Sequence, residues 1–282
     1  MKNKNIAVPA ALASMICVQG GASIAKKLFP VLGPAGTSTL RIGLSALLLF
    51  VINRPRLSAL NKQQWLYCFG YGACIGSMNL IFYYAIQRIP LGLGVTVEFI
   101  GPLLLALFLS RKLLDLLWAL FACAGILLIV PWQSNHIDII GLGLAFLAGV
   151  FWAGYIVMGG KISQVVDNRV AVTVGMGIAA ILILPFGILS GSLAQLSFHY
   201  LLLGFGVAIF SSALPFTLDM IALKRLPPKT FSILTSLQPA FGALSGLLFL
   251  KEYLSFLQWM SILCVVIASM GTTLTNRYKD TL

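Results

Sequence analysis

Ten apolar stretches run along the chain, near 6–26, 37–53, 65–87, 91–110, 114–131, 139–158, 170–190, 200–222, 230–250 and 255–275, parted by short polar breaks. A helix needs about 17 to 25 apolar residues to cross a hydrocarbon layer of roughly 30 Å, and in that layer it satisfies its own backbone groups. The pattern therefore predicts an all-α integral membrane protein of ten transmembrane helices. The breaks carry turn chemistry, such as Asn53-Arg54-Pro55 and Lys224-Arg225-Leu226-Pro227-Pro228, and none is long enough for a soluble domain. Any chemistry falls inside the membrane.

Composition sharpens this reading. The 282 residues are 59% hydrophobic and 9% charged, with mean hydropathy +0.98, against about a quarter charged in soluble domains. A water-soluble fold is excluded. A net charge of +12 would suggest nucleic acid in a soluble chain, but here the basic residues read as topology signals. Fourteen of the nineteen Lys and Arg fall at the N-terminus and in the linkers on its side; Lys26, Lys27, Arg88 and Lys251 fall on the other side, and Arg41 falls inside the second helix. Both termini are expected in the cytoplasm. The five cysteines lie in apolar stretches without metal or disulfide spacing and read as packing. Lys2 and Lys4 precede an apolar run, as in a signal peptide, but without a convincing cleavage site the run is expected to remain as helix one.

The chain also repeats. At a shift of 137 residues Ala85-Ile-Gln-Arg-Ile-Pro90 lies over Ala222-Leu-Lys-Arg-Leu-Pro227, and Pro102 lies over Pro239. Two five-helix copies are expected, 1–137 and 138–282. A unit of five helices that starts in the cytoplasm ends outside, so the second copy is inverted, a recurring build of secondary transporters with the substrate site near the midplane.

An ionisable group within a membrane helix costs at least about 2.5 to 3.5 kcal/mol, which makes each one a functional candidate. Three qualify: Glu98, Arg41 and Asp219. Glu98 lies some seven residues into helix four, with Pro102 four residues later; proline cannot donate to the carbonyl at 98, so a kink and a free acceptor are expected beside the carboxylate. That pair suits a substrate ammonium or a proton. Pro239 beside Gln238 would free the carbonyl of Thr235 in the same way, and Pro215 that of Ser211. Arg41, about four residues into helix two, either snorkels to the headgroups or captures a substrate carboxylate. Asp219, close to Lys224 and Arg225, reads as a gate or ion pair. Gln19 precedes the pair Gly20-Gly21 and, with Asn79, Gln238, Trp152 and Tyr155, is assigned to the substrate-binding lining. Gly72-x-x-x-Gly76 and Gly242-x-x-x-Gly246 are weak helix-contact signals. No P-loop, HExxH or GxSxG occurs, which argues against an ATP-driven pump and most membrane hydrolases.

Val18-Gln-Gly-Gly-Ala-Ser-Ile-Ala-Lys-Lys-Leu-Phe-Pro30, Glu98-Phe-Ile-Gly-Pro102, Ala213-Leu-Pro-Phe-Thr-Leu-Asp-Met-Ile-Ala-Leu-Lys-Arg-Leu-Pro227 and Ala268-Ser-Met-Gly-Thr-Thr-Leu-Thr275 together resemble the drug/metabolite transporter superfamily with EamA repeats, over nearly the whole chain. Asp219 stands where that family usually carries Glu. The resemblance implies export of small amino acids such as threonine and homoserine, linked to the proton motive force, across a bacterial inner membrane.

The expectation is thus a secondary exporter, not an enzyme, with no cofactor and no metal. Its partners are an amino-acid substrate, protons and membrane lipid, without nucleic acid, in a form compatible with a monomer. Export of other metabolites, aromatic amino acids or cationic drugs, with Trp152 and Tyr155 stacking on a cation, is the alternative. A membrane enzyme or receptor for lipid-linked substrates would need an acid/base pair and a phosphate site that the chain does not clearly offer.

Overall fold

The computed structural model describes residues 4–108, 117–118, 120–121, 124–125, 128, 138–223, 235 and 237–275. Regular structure among the described residues is helical throughout. In chain order the helices are α1 (Lys4–Lys26), α2 (Phe29–Asn53), α3 (Lys62–Arg88), α4 (Leu91–Glu98), α5 (Ile100–Phe108), α6 (Ile139–Val165), α7 (Asn168–Leu189), α8 (Phe198–Ala208), α9 (Leu214–Leu223), α10 (Gln238–Ser245) and α11 (Phe256–Thr275). A π-helical turn, Ile209–Ala213, joins α8 to α9, and a second, Gly246–Leu250, follows α10.

Among the described residues six helices are long and apolar enough to cross a membrane: α1, α2, α3, α6, α7 and the run from α8 into α9. The pieces α4–α5, α10 and α11 are shorter apolar helices. The predicted stretch at 114–131 lies largely outside the described residues, as does the start of the one at 230–250.

The largest departure from the expected spans is α2, which begins at Phe29 rather than near 37. Gly33 takes a positive φ of 59° that only glycine adopts cheaply. This turn, followed by Pro34, joins two helical pieces that the sequence pattern reads as a linker and a helix. Prolines act at helix breaks elsewhere. The backbone turns at Phe99, three residues before Pro102, so α4 ends at Glu98 and α5 begins at Ile100. Leu237 is likewise a turn, and Pro239 sits in the first turn of α10, where its missing N–H is no loss. Helix starts are satisfied locally: Asn61 and Gln64 form a reciprocal capping box on α3, and Asp138 caps α6 by accepting from the Gly141 N–H.

Packing joins the two parts of the chain. α3 lies along α6 and α7, α1 along α9 and the π-helical turn before it, α2 along α7 and α8, and α4 along α10. Small residues set the spacing. A Cβ on Gly72 would meet the Gly175 carbonyl of α7, and a Cβ on Gly76 would press on Ala179, so the first of the two weak glycine stripes does mark a helix contact. At the break in α4–α5, Gly101 and Gly149 bring two backbones together: a Cβ on Gly149 would collide with the Glu98 carbonyl. Gly149→Ala should therefore destabilise the protein by about 1–3 kcal/mol. Gly143→Ala on the same helix faces open space and should be neutral or slightly stabilising, by up to about 1 kcal/mol. Thermal midpoints of the detergent-solubilised variants test this, and equal midpoints would sink the crossing argument.

Candidate functional site

The buried polar groups form a continuous seam between α1 and the second part of the chain. Ser14 Oγ donates to the Pro215 carbonyl (3.2 Å), Gln19 Nε2 donates to Gln238 Oε1 (2.6 Å), and the hydroxyls of Ser23 and Ser245 pair at 2.9 Å. Ser245 Oγ also reaches the Gln19 carbonyl at 2.9 Å. Gly21 permits this approach, because a Cβ there would strike Ser211 in the π-helical turn. In an apolar interior each of these polar groups needs a partner, so the seam fixes register between the helices. Gln19 Oε1 and Ser211 Oγ remain buried without a hydrogen-bond partner among the described residues.

Arg41 is the anchor of the centre. It lies twelve residues into α2, because that helix starts at Phe29, and so about 18 Å along it at 1.5 Å per residue. Only 4% of it is exposed, which rules out the snorkelling alternative. Its Nε donates to Ser212 Oγ (2.6 Å), Nη1 to the Tyr83 hydroxyl (2.7 Å) and Nη2 to the Ser211 carbonyl (2.9 Å). Pro215 has no N–H for that last carbonyl, and the guanidinium takes the proton-donor role that the helix lacks. The acceptor expected to be open to a ligand is occupied. Ser45, one turn along α2, donates to both the Arg41 and Ala208 carbonyls and ties α2 to the same turn.

Glu98, 8% exposed, ends α4 seven residues from Leu91. Among the described residues its carboxylate has no hydrogen-bond donor, and the charge that acts on it is the Arg41 guanidinium. Its backbone carbonyl, expected to be left free by Pro102, packs against Gly149 of α6. The carboxylate and the carbonyl therefore do not converge on a ligand. Trp152 sets its ring edge-on to Phe99, 5.7 Å away, and so walls the break beside Glu98.

A second polar group lies nearer the end that holds Asn53 and Asp167. Asp219, half-buried, shares the Ser14 hydroxyl with the Pro215 carbonyl and acts electrostatically on Tyr71 and Tyr155. Tyr155 stacks on Tyr71 at 5.1 Å and meets Phe216 edge-on. The neighbours of Asp219 among the described residues are thus interior hydroxyls; Lys224 and Arg225 lie outside the described residues. Asn79, also buried, turns its amide back onto the Ile75 carbonyl of its own helix (2.8 Å).

The opposite end is bridged by charges at the helix ends. Lys26 Nζ lies 2.6 Å from Glu252 Oε1 and 3.0 Å from the Ile89 carbonyl, while Glu252 Oε2 accepts from the Leu91 N–H (2.7 Å) at the start of α4. Lys251, left-handed at φ 56°, turns the chain after α10 and delivers Glu252 to this point. Arg88 Nε pairs with both oxygens of Asp138, at 3.0 and 2.9 Å. The Asp138 carboxyl is held below the usual carboxylate range, first by the Gly141 N–H and then by Arg88. Its folded-state pKa is depressed, so this cap is present at neutral pH and is lost only as pH falls through that lowered value.

Sequence reasoning named Arg41, Glu98, Gln19 and Gln238 but missed Tyr83, Ser212, Ser23 and Ser245, whose hydroxyls complete the seam. A tyrosine in an apolar run is ordinary, and only the contact with Arg41 marks Tyr83. Tyr83→Phe leaves one buried guanidinium N–H unpaired and should cost about 1.5–3 kcal/mol. Arg41→Lys, which cannot span three acceptors with one ammonium, should cost more. Unfolding midpoints in detergent measure both, and a Tyr83→Phe protein as stable as the parent would remove Arg41 from its anchoring role.

The residues 139–274 match the EamA-like transporter family. The chain is 41% identical over 271 residues to the threonine/homoserine exporter RhtA of Escherichia coli (strain K12), covering 95% of this chain and 92% of that protein. The exporter of the same name from Salmonella typhimurium (strain SL1344) is 41% identical over 268 residues, 94% and 90% of the two chains. The uncharacterized transporter YwfM of Bacillus subtilis (strain 168) is 24% identical over 87% of this chain and 86% of its own. A solved crystal structure with 18% identity superposes with a TM-score of 0.67 over 96% of this chain and 99% of its own, which establishes the shared fold. The chain belongs to the EamA-like transporter family.

Proposed function

We propose that this transporter exports small amino acids of the threonine and homoserine type across a bacterial inner membrane, in exchange for protons and without ATP. The observation that carries the reading is identity of 41% along 95% of the chain to an exporter of those two amino acids. The interior chemistry supports it. Arg41 and Glu98 bring one positive and one negative charge to the same buried region, so a zwitterion enters with both of its charges matched. Glu98 takes the substrate ammonium or a proton. Three of the five guanidinium N–H groups of Arg41 are engaged, which leaves two for the substrate carboxylate. Gln19, Gln238 and the Ser211 hydroxyl offer neutral polar contacts. Competition of substrate and proton for Glu98 couples the two flows.

The architecture is read as ten helices in two inverted repeats, 1–137 and 138–282, with both termini cytoplasmic. Three observations support it. The breaks before Pro102 and Pro239 fall within one residue of each other at a shift of 137. The same shift lays α6 over α1, α7 over α2 and α8–α9 over α3, so α3 on α6 corresponds to α1 on α9. The family match begins at 139. In this orientation the Lys26–Glu252 and Arg88–Asp138 pairs close the outer end, and Asp219 stands on the cytoplasmic side of the centre as a gate. The cationic-drug alternative is weakened because Tyr155 is stacked on Tyr71 and the Arg41 guanidinium acts electrostatically on Glu98.

Labelled threonine and homoserine should leave proteoliposomes or cells faster with an inward proton gradient, and Glu98→Gln should abolish that dependence. Normal gradient-driven efflux by Glu98→Gln would reject the coupling role, whereas no efflux of either substrate by the parent protein would reject the substrate class. For the outer closure, Glu252→Gln should speed reaction of an introduced Ser23→Cys with a membrane-impermeant thiol reagent added outside. An unchanged rate would show that the pair does not hold that end closed.

A further inference from the structure

Away from the central site, two cavities meet at the end of the bundle that holds Asn53 and Asp167. One, about 500 Å³, is a slot between the end of α2, the start of α7 and the run from α8 to α9, walled by Leu49, Ile52, Val172, Leu214 and Ile221. The other, about 370 Å³, is ringed by Arg54, Arg56 and Gln64. Asn53 and Asp167 line both, so the aliphatic slot and the basic basin adjoin.

The walls are fixed in place. Asn53 Nδ2 donates to Thr173 Oγ1 (2.8 Å), pinning α2 to α7, and Gln64 Nε2 donates to the Val165 carbonyl (2.7 Å), pinning α3 to α6. The flanks of the slot present exposed Leu47, Val51 and Phe210, side chains suited to lipid rather than water. At its mouth Arg54, Arg56 and Arg169 are exposed. Asp167, which lines both cavities, caps α7 by accepting from the Arg169 N–H and keeps its negative charge, so the mouth carries three arginines against one carboxylate. An amino acid passing through the slot would strand both its charges against aliphatic walls; an acyl chain would not.

We propose that this composite pocket binds an anionic phospholipid of the leaflet at the basic end, with one acyl chain in the slot and the phosphate between Arg54 and Arg56. Basic pockets between membrane helices at the cytoplasmic surface are suited to such headgroups. The site lies on the perimeter, and its occupant braces α2 and α7 where they meet at the bilayer surface.

Binding is measured on the full chain in detergent, titrated with phosphatidylglycerol or with phosphatidylcholine of the same acyl chains and read by native mass spectrometry. Phosphatidylglycerol should bind in preference. Arg54→Gln with Arg56→Gln should weaken it roughly thirtyfold, Leu214→Trp should displace the chain from the slot, and Lys161→Gln, at the same end but outside the basin, should leave it unchanged. Thermal midpoints report whether each variant is folded. Equal binding of the two lipids, or parental affinity in the folded arginine or Leu214→Trp variants, overturns the proposal. Displacement of phosphatidylglycerol by inorganic phosphate alone would overturn it in favour of a free-anion site. None of these readouts depends on which solute is exported.

Discussion

A guanidinium with 4% exposure in the middle of an apolar bundle is the constraint around which the rest is arranged. Its desolvation is tolerable only if hydrogen bonds at good geometry offset it, and three of its five donors are so engaged. Three acceptors do this from two elements: the Tyr83 hydroxyl on α3, and the Ser211 carbonyl and Ser212 hydroxyl in the turn between α8 and α9. The carbonyl is available because Pro215 cannot use it, and the π-helical turn widens the backbone so that it points at α2 rather than along its own helix. Arg41 therefore fixes where α2, α3 and α8 meet. The proline, the widened turn and the arginine form one device in three parts.

From that anchor the seam along α1 follows. Once the turn at Ile209–Ala213 is held against α2, Gly21 lets α1 close on Ser211, and Ser14, Gln19 and Ser23 come opposite partners on α9 and α10. Each bond is neutral and short-ranged, individually about 0.5–1.5 kcal/mol net. Together they specify one register for α1. A shift of one residue would bury every one of these polar atoms unpaired.

The all-helical membrane class was legible because apolar runs of membrane-spanning length are the strongest pattern a sequence carries. So were the intramembrane charges, since their rarity marks them. Arg41 was placed eight residues too near its helix end because Gly33 and Pro34 read as a linker, whereas the structure carries the helix through them with a kink. The fates of the proline-freed carbonyls were not legible: which partner fills them depends on helices more than a hundred residues away, Arg41 for Ser211 and Gly149 for Glu98. The Lys26–Glu252 pair escaped for a related reason. Charges at helix ends normally face water, and only the turn at Lys251 shows that Glu252 folds back over α4.

The distribution of charge between the two parts of the chain bears on how such a molecule moves. Arg41 and Glu98 both come from the first part, and the second-part groups that hydrogen-bond Arg41, Gln19 and Ser23, namely Ser211, Ser212, Gln238 and Ser245, are neutral. Separating the halves at the centre thus breaks neutral hydrogen bonds or bonds to one charge, without pulling apart a buried ion pair, whose disruption costs about 3–5 kcal/mol. The ion pairs that do cross between them among the described residues, Lys26–Glu252 and Arg88–Asp138, sit at the rim with side chains 18–42% exposed. There solvent screens them and can replace either partner, so their contribution is small and reversible. Under the two-repeat architecture proposed above, the attraction between Arg41 and Glu98 stays within one repeat, and what spans the interface is hydrogen bonds and rim ion pairs, an arrangement suited to opening because no buried ion pair has to be broken.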